Sequence, residues 1–273
     1  MHTRVPNLEA VDRFKQRINY PKIVQHITDE KKVLMDWLRV LKKMKISSTS
    51  VWESYDLNSS VTSKNHAMIS DFFENRKKNI MIYVHVFTNV SNRFVIEEAV
   101  LLTGYSSMVD IKKEYSKNGP GDFYLYYKRG EEGAGDKTAI CAFKNVVLEI
   151  NTSEDDVDVR PIAKHLVDLM SNSLVKNNEI SGINYRILQS AQEVKTGDTF
   201  WVDVQFASKK EIDNYEFTLR GSSLPEGLKY VEKDESKYYL KAIQSGTYQF
   251  DMWVMDRRTL IVSAATFEVT VKN

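Results

Sequence analysis

Phe200-Trp201-Val202-Asp203-Val204-Gln205-Phe206 is the stretch that decides how this chain is to be read. Phe200, Val202, Val204 and Phe206 occupy every second position, with Trp201, Asp203 and Gln205 between them. That is the period of a strand with one buried face; a helix would repeat nearer every fourth residue. The rhythm returns at Tyr215, Phe217 and Leu219, at Tyr248, Phe250, Met252 and Val254, and at Phe267, Val269 and Val271. Gly, Ser, Asn and Lys clusters part these segments. The spacing predicts an all-β sandwich over residues 181–273, with no helical stretch in it.

Upstream the rhythm differs. Leu34, Trp37, Leu38 and Leu41 follow the i, i+3, i+4, i+7 pattern, which predicts a helix over 29–44 capped by Thr28 or Asp29. An earlier helix is expected over 8–18, ending before Pro21. Val51–Tyr55 reads as a strand, and Asn65 as the cap of a helix carrying Met68, Ile69, Phe72 and Phe73. Ile80–Phe87 is apolar on both phases, the mark of a central strand. Asn92 is expected to cap a helix through Leu102 that Gly104 closes. Strands Phe123–Lys128 and Thr138–Asn151 follow, joined by the glycine-rich 129–136, which predicts a hairpin. Asp158 and Pro161 open a last helix with Ile162, Leu166, Leu169 and Met170 on one stripe. Residues 1–180 are therefore expected to be an α+β domain, helices on a mainly antiparallel sheet, with a linker over 172–181.

Composition fits two domains. The chain has 273 residues, 42% hydrophobic and 27% charged, ordinary for globular proteins. Lys+Arg 38 against Asp+Glu 37 leaves a net charge of +1, so no bulk field draws nucleic acid. No apolar run is long enough for a membrane span, and the first residues carry no apolar signal core. The single Cys141 excludes an internal disulfide and lies in an apolar run, where it reads as a small inert hydrophobe.

One resemblance stands out in the strand-rich part. Leu224-Pro225-Glu226-Gly227-Leu228 precedes Gly246-Thr247-Tyr248-Gln249-Phe250-Asp251-Met252-Trp253-Val254-Met255-Asp256, and Phe267-Glu268-Val269-Thr270-Val271 closes the chain. This third of the sequence resembles the Ig-like, cadherin-like (dystroglycan-type) module of bacterial surface proteins. The departure is Asp234–Tyr239, where that family carries a glycine. The resemblance implies an immunoglobulin-like sandwich with an adhesive or docking role and no reaction. Residues 1–180 are assigned to no family.

The chain imitates catalytic and metal motifs without completing them. Gly133-Ala134-Gly135-Asp136-Lys137-Thr138 imitates a phosphate-binding loop, but Asp136 interrupts it and a strand follows where a helix is needed. His2, His26, His66, His85 and His165 have no metal-ligand spacing. Glu154-Asp155-Asp156-Val157-Asp158 lacks the calcium-loop register and suits the start of a helix. No catalytic residue, metal or cofactor is assigned.

The surface feature singled out is aromatic. Trp201, Trp253 and Met255 fall on the non-core phase of their strands and would form one outer patch if those strands were neighbours, either packed against residues 1–180 or offered to a ligand or partner, with Tyr238 and Tyr239 adding to either. The leading expectation is a non-catalytic binding or docking protein of the cell envelope or extracellular space, with a protein or glycan partner. The alternatives are an enzyme with a dispersed site around Glu53, His85 and Tyr126, and a cytoplasmic interaction or inhibitor protein.

Overall fold

The computed structural model describes residues 6–27, 31–48, 50–55, 57–105, 114–128, 136–176, 183–206, 209–219 and 224–273. Strands dominate. The chain divides into two compact units, Met1–Ser60 with Ala67–Ile180, and Val61–His66 with Ser181–Asn273.

The first unit opens with α1 (Leu8–Arg17), α2 (Tyr20–Val24), β1 (Lys32–Val33), α3 (Trp37–Lys42), β2 (Lys43–Lys45) and β3 (Val51–Ser54). Next come β4 (Asn58–Ser63) and β5 (His66–Asn75), of which Val61–Ser63 and His66 belong to the second unit, then β6 (Lys78–Phe87), α4 (Asn92–Tyr105), β7 (Glu114–Tyr115) and β8 (Phe123–Lys128). It ends with β9 (Lys137–Phe143), β10 (Val146–Thr152), α5 (Arg160–Ser171) and β11 (Leu174–Val175). One sheet runs β2-β3-β5-β6-β10-β9-β8-β7, with β4 paired to β5, and β1 pairs antiparallel with β11. On one face Val11, Phe14, Val95, Ile96, Ala99 and Val100 pack over Leu125, Ile140, Ala142 and Val147. Ala139, Cys141, Tyr124 and Tyr126 point the other way, where α5 packs on β9 and Arg160 lies 5.1 Å over the Tyr126 ring.

Several expectations need correction here. The helix predicted over 29–44 shrinks to Trp37–Lys42, with Asp36 as its cap, accepting from the Arg39 amide at 2.9 Å. Ahead of it the backbone is committed elsewhere. Val33 N–H donates to the Asn145 side chain at 2.6 Å and Leu34 N–H to Ser173 O at 3.0 Å. An amide satisfied by a distant segment cannot serve a helix. The proposed caps Thr28 and Asp29 lie outside the described residues.

The helix expected after Asn65 is strand β5. Ala67, Ile69, Asp71 and Phe73 are buried on one phase, while Met68 and Phe72 take the other. Met68, Ile69, Phe72 and Phe73 fit either period, and pairing to β6 through the tight Arg76–Lys77 turn (φ 49 and 74) decides for the strand.

Thr138–Asn151 is two strands. Lys144, at φ 56, reverses the chain, so that β10 lies antiparallel between β6 and β9. Asn92 is no cap. Ser91 Oγ accepts from Phe94 N–H at 3.2 Å, while buried Asn92 accepts from Lys32 Nζ at 2.9 Å. Nor does Gly104 end that helix, which runs to Tyr105. The glycine-rich 129–135 and residues 177–181 of the expected linker lie outside the described residues.

The second unit is built from β12 (Tyr185–Gln189), β13 (Glu193–Lys195), β14 (Thr199–Phe206), a 3-10 helix (Lys209–Asn214) and β15 (Tyr215–Leu219). It continues with β16 (Leu228–Asp234), β17 (Lys237–Ala242), β18 (Gly246–Asp256) and β19 (Val262–Lys272). Among the described residues of this unit the 3-10 helix is the one helical piece, where none was expected. Two four-stranded sheets, β12-β14-β17-β16 and β13-β19-β18-β15, share a core of Phe200, Val202, Val204, Phe217, Leu240, Phe250, Met252, Val254, Phe267 and Val269. All pairings are antiparallel except β13 with β19.

Candidate functional site

A cleft of about 800 Å³ opens beside the β15 and β16 edges of the second unit. The end of β14 (Asp203–Phe206), the 3-10 helix (Ile212, Asp213), β15 (Tyr215–Phe217), the β16–β17 turn (Lys233, Glu235–Lys237) and Arg257 line it. Alternation along β14 explains its wall. Phe206 continues the inward phase of Phe200, Val202 and Val204, reaches the end of the sheet, and there stacks on Tyr215 at 4.4 Å and 8°. The aromatic surface is thus the sandwich core running out to solvent.

The polar groups are held individually. Asp203 is buried, accepting from Ser236 Oγ at 2.6 Å and Gln205 Nε2 at 3.2 Å. Lys233 Nζ sits 4.3 Å over the Phe217 ring and 5.2 Å over Tyr238. Burial lowers its pKa, Glu216 raises it and Arg257 lowers it again. Glu216 is raised by burial, against the pull of Arg257, Lys233 and the Val61 backbone amide that donates to it. Lys237 Nζ lies 5.0 Å over Trp201. Such contacts hold an ammonium on aromatic surface while leaving it open to an anion.

The expected aromatic patch does not form as one surface. Trp201 belongs to β14, which neighbours β12 and β17, whereas Trp253 and Met255 belong to β18, which neighbours β15 and β19. Strand alternation sets Trp201 and Trp253 off the inward phase but could not say which sheet each strand joins, nor that Met255 would be buried. Trp201 stands opposite Tyr239, both half-buried. Met255 is fully buried, beside Glu216 in the register, and Trp253 stands opposite Thr218. Tyr238 points inward, and its hydroxyl donates to Phe217 O at 2.5 Å; burial raises its pKa. Of the five residues, Tyr238 and Trp201 adjoin the cleft through Lys233 and Lys237 respectively. Lys233, Arg257, Phe206 and Tyr215 were missed; the charged turn after Asp234 beside two tyrosines was the available signal.

Glu53, His85 and Tyr126 are not brought together. In register His85 faces Val147, and Val147 faces Ala142 in the helix-covered core, whereas Tyr126 lies under Arg160 on the opposite face. Glu53 is exposed and paired with Lys43. His85 stacks 6.4 Å from Tyr83, which stands opposite Glu149. Burial raises Glu149, with Asn151 donating to it at 3.1 Å and pulling the other way.

Lys137, the lysine of the loop that imitates a phosphate site, is buried and donates to the Glu154 and Val157 carbonyls at 2.9 and 3.0 Å and to that of Asp155. In the acidic cluster Asp158 accepts from the Arg160 amide at 3.0 Å, and Asp156 pairs with Lys78. Among the described residues no group of three or more His, Cys, Asp or Glu is gathered as metal ligands, and no helix is long and apolar enough to cross a membrane. Burial raises the Cys141 thiol. Compared with models of known protein families and with curated proteins, the chain matches none.

Proposed function

We propose that this chain is a non-catalytic binding protein of the cell envelope or extracellular space, and that the cleft of its second unit receives the ligand. The first unit is read as an α+β domain and the second as an Ig-like, cadherin-like module. The observation that carries the proposal is the cleft itself. It joins core aromatics that reach solvent at Phe206 and Tyr215 to cations held over rings. Recognition sites combine apolar surface with a few placed polar groups in this way. Its serine, Ser236, is engaged as a donor to Asp203.

The modular reading has structural support. Tyr248, of the Gly-Thr-Tyr motif, hydrogen-bonds to Gln244 O and Ser245 O at 3.1 and 3.0 Å, and its ring fills the space beside Gly227 of the Leu-Pro-x-Gly-Leu motif. The two motifs are therefore one packing unit. The test is retention of ligands from peptide and glycan arrays by the whole chain and by a Phe206→Ala, Lys233→Glu variant. Retention by the first and loss by the second is expected. Ligands that bind both equally would place the site elsewhere, and turnover of a bound ligand would end the non-catalytic reading.

A further inference from the structure

The cleft lies at the end of an open strand edge. Among the described strands β16 pairs only with β17, and β15 only with β18. An edge strand offers a row of backbone donors and acceptors, which proteins usually guard. Here β16 carries Tyr230 and Val231, 42% and 47% exposed, just before Lys233 enters the cleft. The register shift between Tyr230 and Glu232 divides the edge, leaving Glu232–Asp234 as the segment that leads into it.

The charges have a direction too. Among the described residues Lys233, Lys237 and Arg257 form no ion pair. Asp203, the buried acid of the cleft, is already taken by Ser236 and Gln205, and Glu216, which accepts from the Val61 amide, also lies in the field of both Arg257 and Lys233. Asp213 and Glu235 are exposed at the rim. Lys233, anchored on Phe217 and Tyr238, and Arg257 thus share a single acid, Glu216, and the two cations together leave one positive charge unmatched at this point of the cleft.

Resting on the binding role proposed above, we infer that the ligand is an extended acidic peptide segment of a partner protein, laid along the free edge of β16 with a carboxylate between Lys233 and Arg257. Main-chain pairing supplies affinity in such strand addition and the alternate side chains supply selectivity. A glycan carboxylate could meet the two cations, but it has no backbone to answer the edge and no apolar side chain for Tyr230 and Val231.

Fluorescence anisotropy with the whole chain tests this, using a labelled peptide of about ten residues alternating Glu and Val. Three comparison probes are the Lys/Val counterpart, the Glu/Val peptide N-methylated at alternate amides, and polygalacturonate. The acidic peptide should bind at least about tenfold tighter than the basic one, weaken as salt rises, and lose binding on N-methylation. The Lys233→Glu, Arg257→Glu variant, shown to be folded by circular dichroism, should bind it at least about tenfold more weakly. Equal binding of the N-methylated or basic peptide, or unchanged binding by the variant, overturns the inference. Preference for polygalacturonate overturns it while leaving the cleft as the binding site. Failure of every probe overturns it as well; array ligands still lost on Phe206→Ala, Lys233→Glu would then leave the binding role standing.

Discussion

Gly227 and Tyr248 share one space: a Cβ built on Gly227 would lie 1.9 Å from Cζ of the Tyr248 ring. The ring cannot swing aside freely, because its hydroxyl is tied to the carbonyls of Gln244 and Ser245. Gly227→Ala should therefore destabilise the second unit by about 1–3 kcal/mol, the usual range for overpacking. In a Tyr248→Ala background the same change should cost close to nothing. Urea unfolding of the four proteins in a double-mutant cycle measures the coupling; additive effects would show that the two motifs are independent.

Asn145 ties the turn between β9 and β10 to a strand more than a hundred positions earlier. It is fully buried, its Oδ1 accepts from Val33 N–H at 2.6 Å, and its own carbonyl accepts from Phe87 N–H at 2.8 Å. Asn145→Ala leaves the Val33 amide without its acceptor, at an expected cost of about 1–3 kcal/mol. Hydrogen exchange at Val33 should speed up; an unchanged rate would refute the role.

Lys137 fills a ring of carbonyls that no other described side chain is placed to satisfy. Lys137→Met keeps most of the volume and removes the donors. A loss of about 2–3 kcal/mol follows, since charge-assisted bonds stand at the strong end of the range. Limited proteolysis within 153–158 should accelerate. Wild-type resistance there would mean the carbonyls find other partners.

His66 makes the second unit sensitive to acid. Burial lowers its pKa from 6.5 to about 4, and its Nδ1 lies 2.5 Å from Thr62 Oγ1. Above pH 6.5 the ring is neutral folded or unfolded and contributes nothing to the pH slope. Between 6.5 and 4 the unfolded chain takes a proton that the folded one refuses, so stability falls as pH falls. The full loss is about 3 kcal/mol. His66→Gln should flatten the change in urea midpoint between pH 7 and pH 5; an identical slope in the variant would exclude His66 as its source.

The sandwich was legible because nothing competes with its period of two. Phe200, Phe250 and Phe267 all fall in the shared core, as their phase predicts. In the first unit the signals were local and the deciding forces were not. Met68, Ile69, Phe72 and Phe73 satisfy both periods, so only a neighbouring strand could choose between them. The β9–β10 reversal was hidden because Lys144 takes the left-handed conformation that usually announces itself as glycine. Lys32–Leu34 left the helix for partners at Asn145 and Ser173 that no local window contains. The candidate site was the least readable part. Residue phase separates inside from outside but carries no information on which strands adjoin, so Trp201 and Trp253 looked like neighbours while Lys233 and Arg257 went unnoticed.

The parallel pairing of β13 with β19 has a consequence for biosynthesis. Residues 262–272 supply the partner of both β18 and β13, so a ribosome-bound chain halted before them leaves β13 unpaired and β18 paired with β15 alone. The second unit can then close only after Lys272 has left the exit tunnel. Until that moment the inner faces of Phe250 and Val254 are a surface for chaperones to cover.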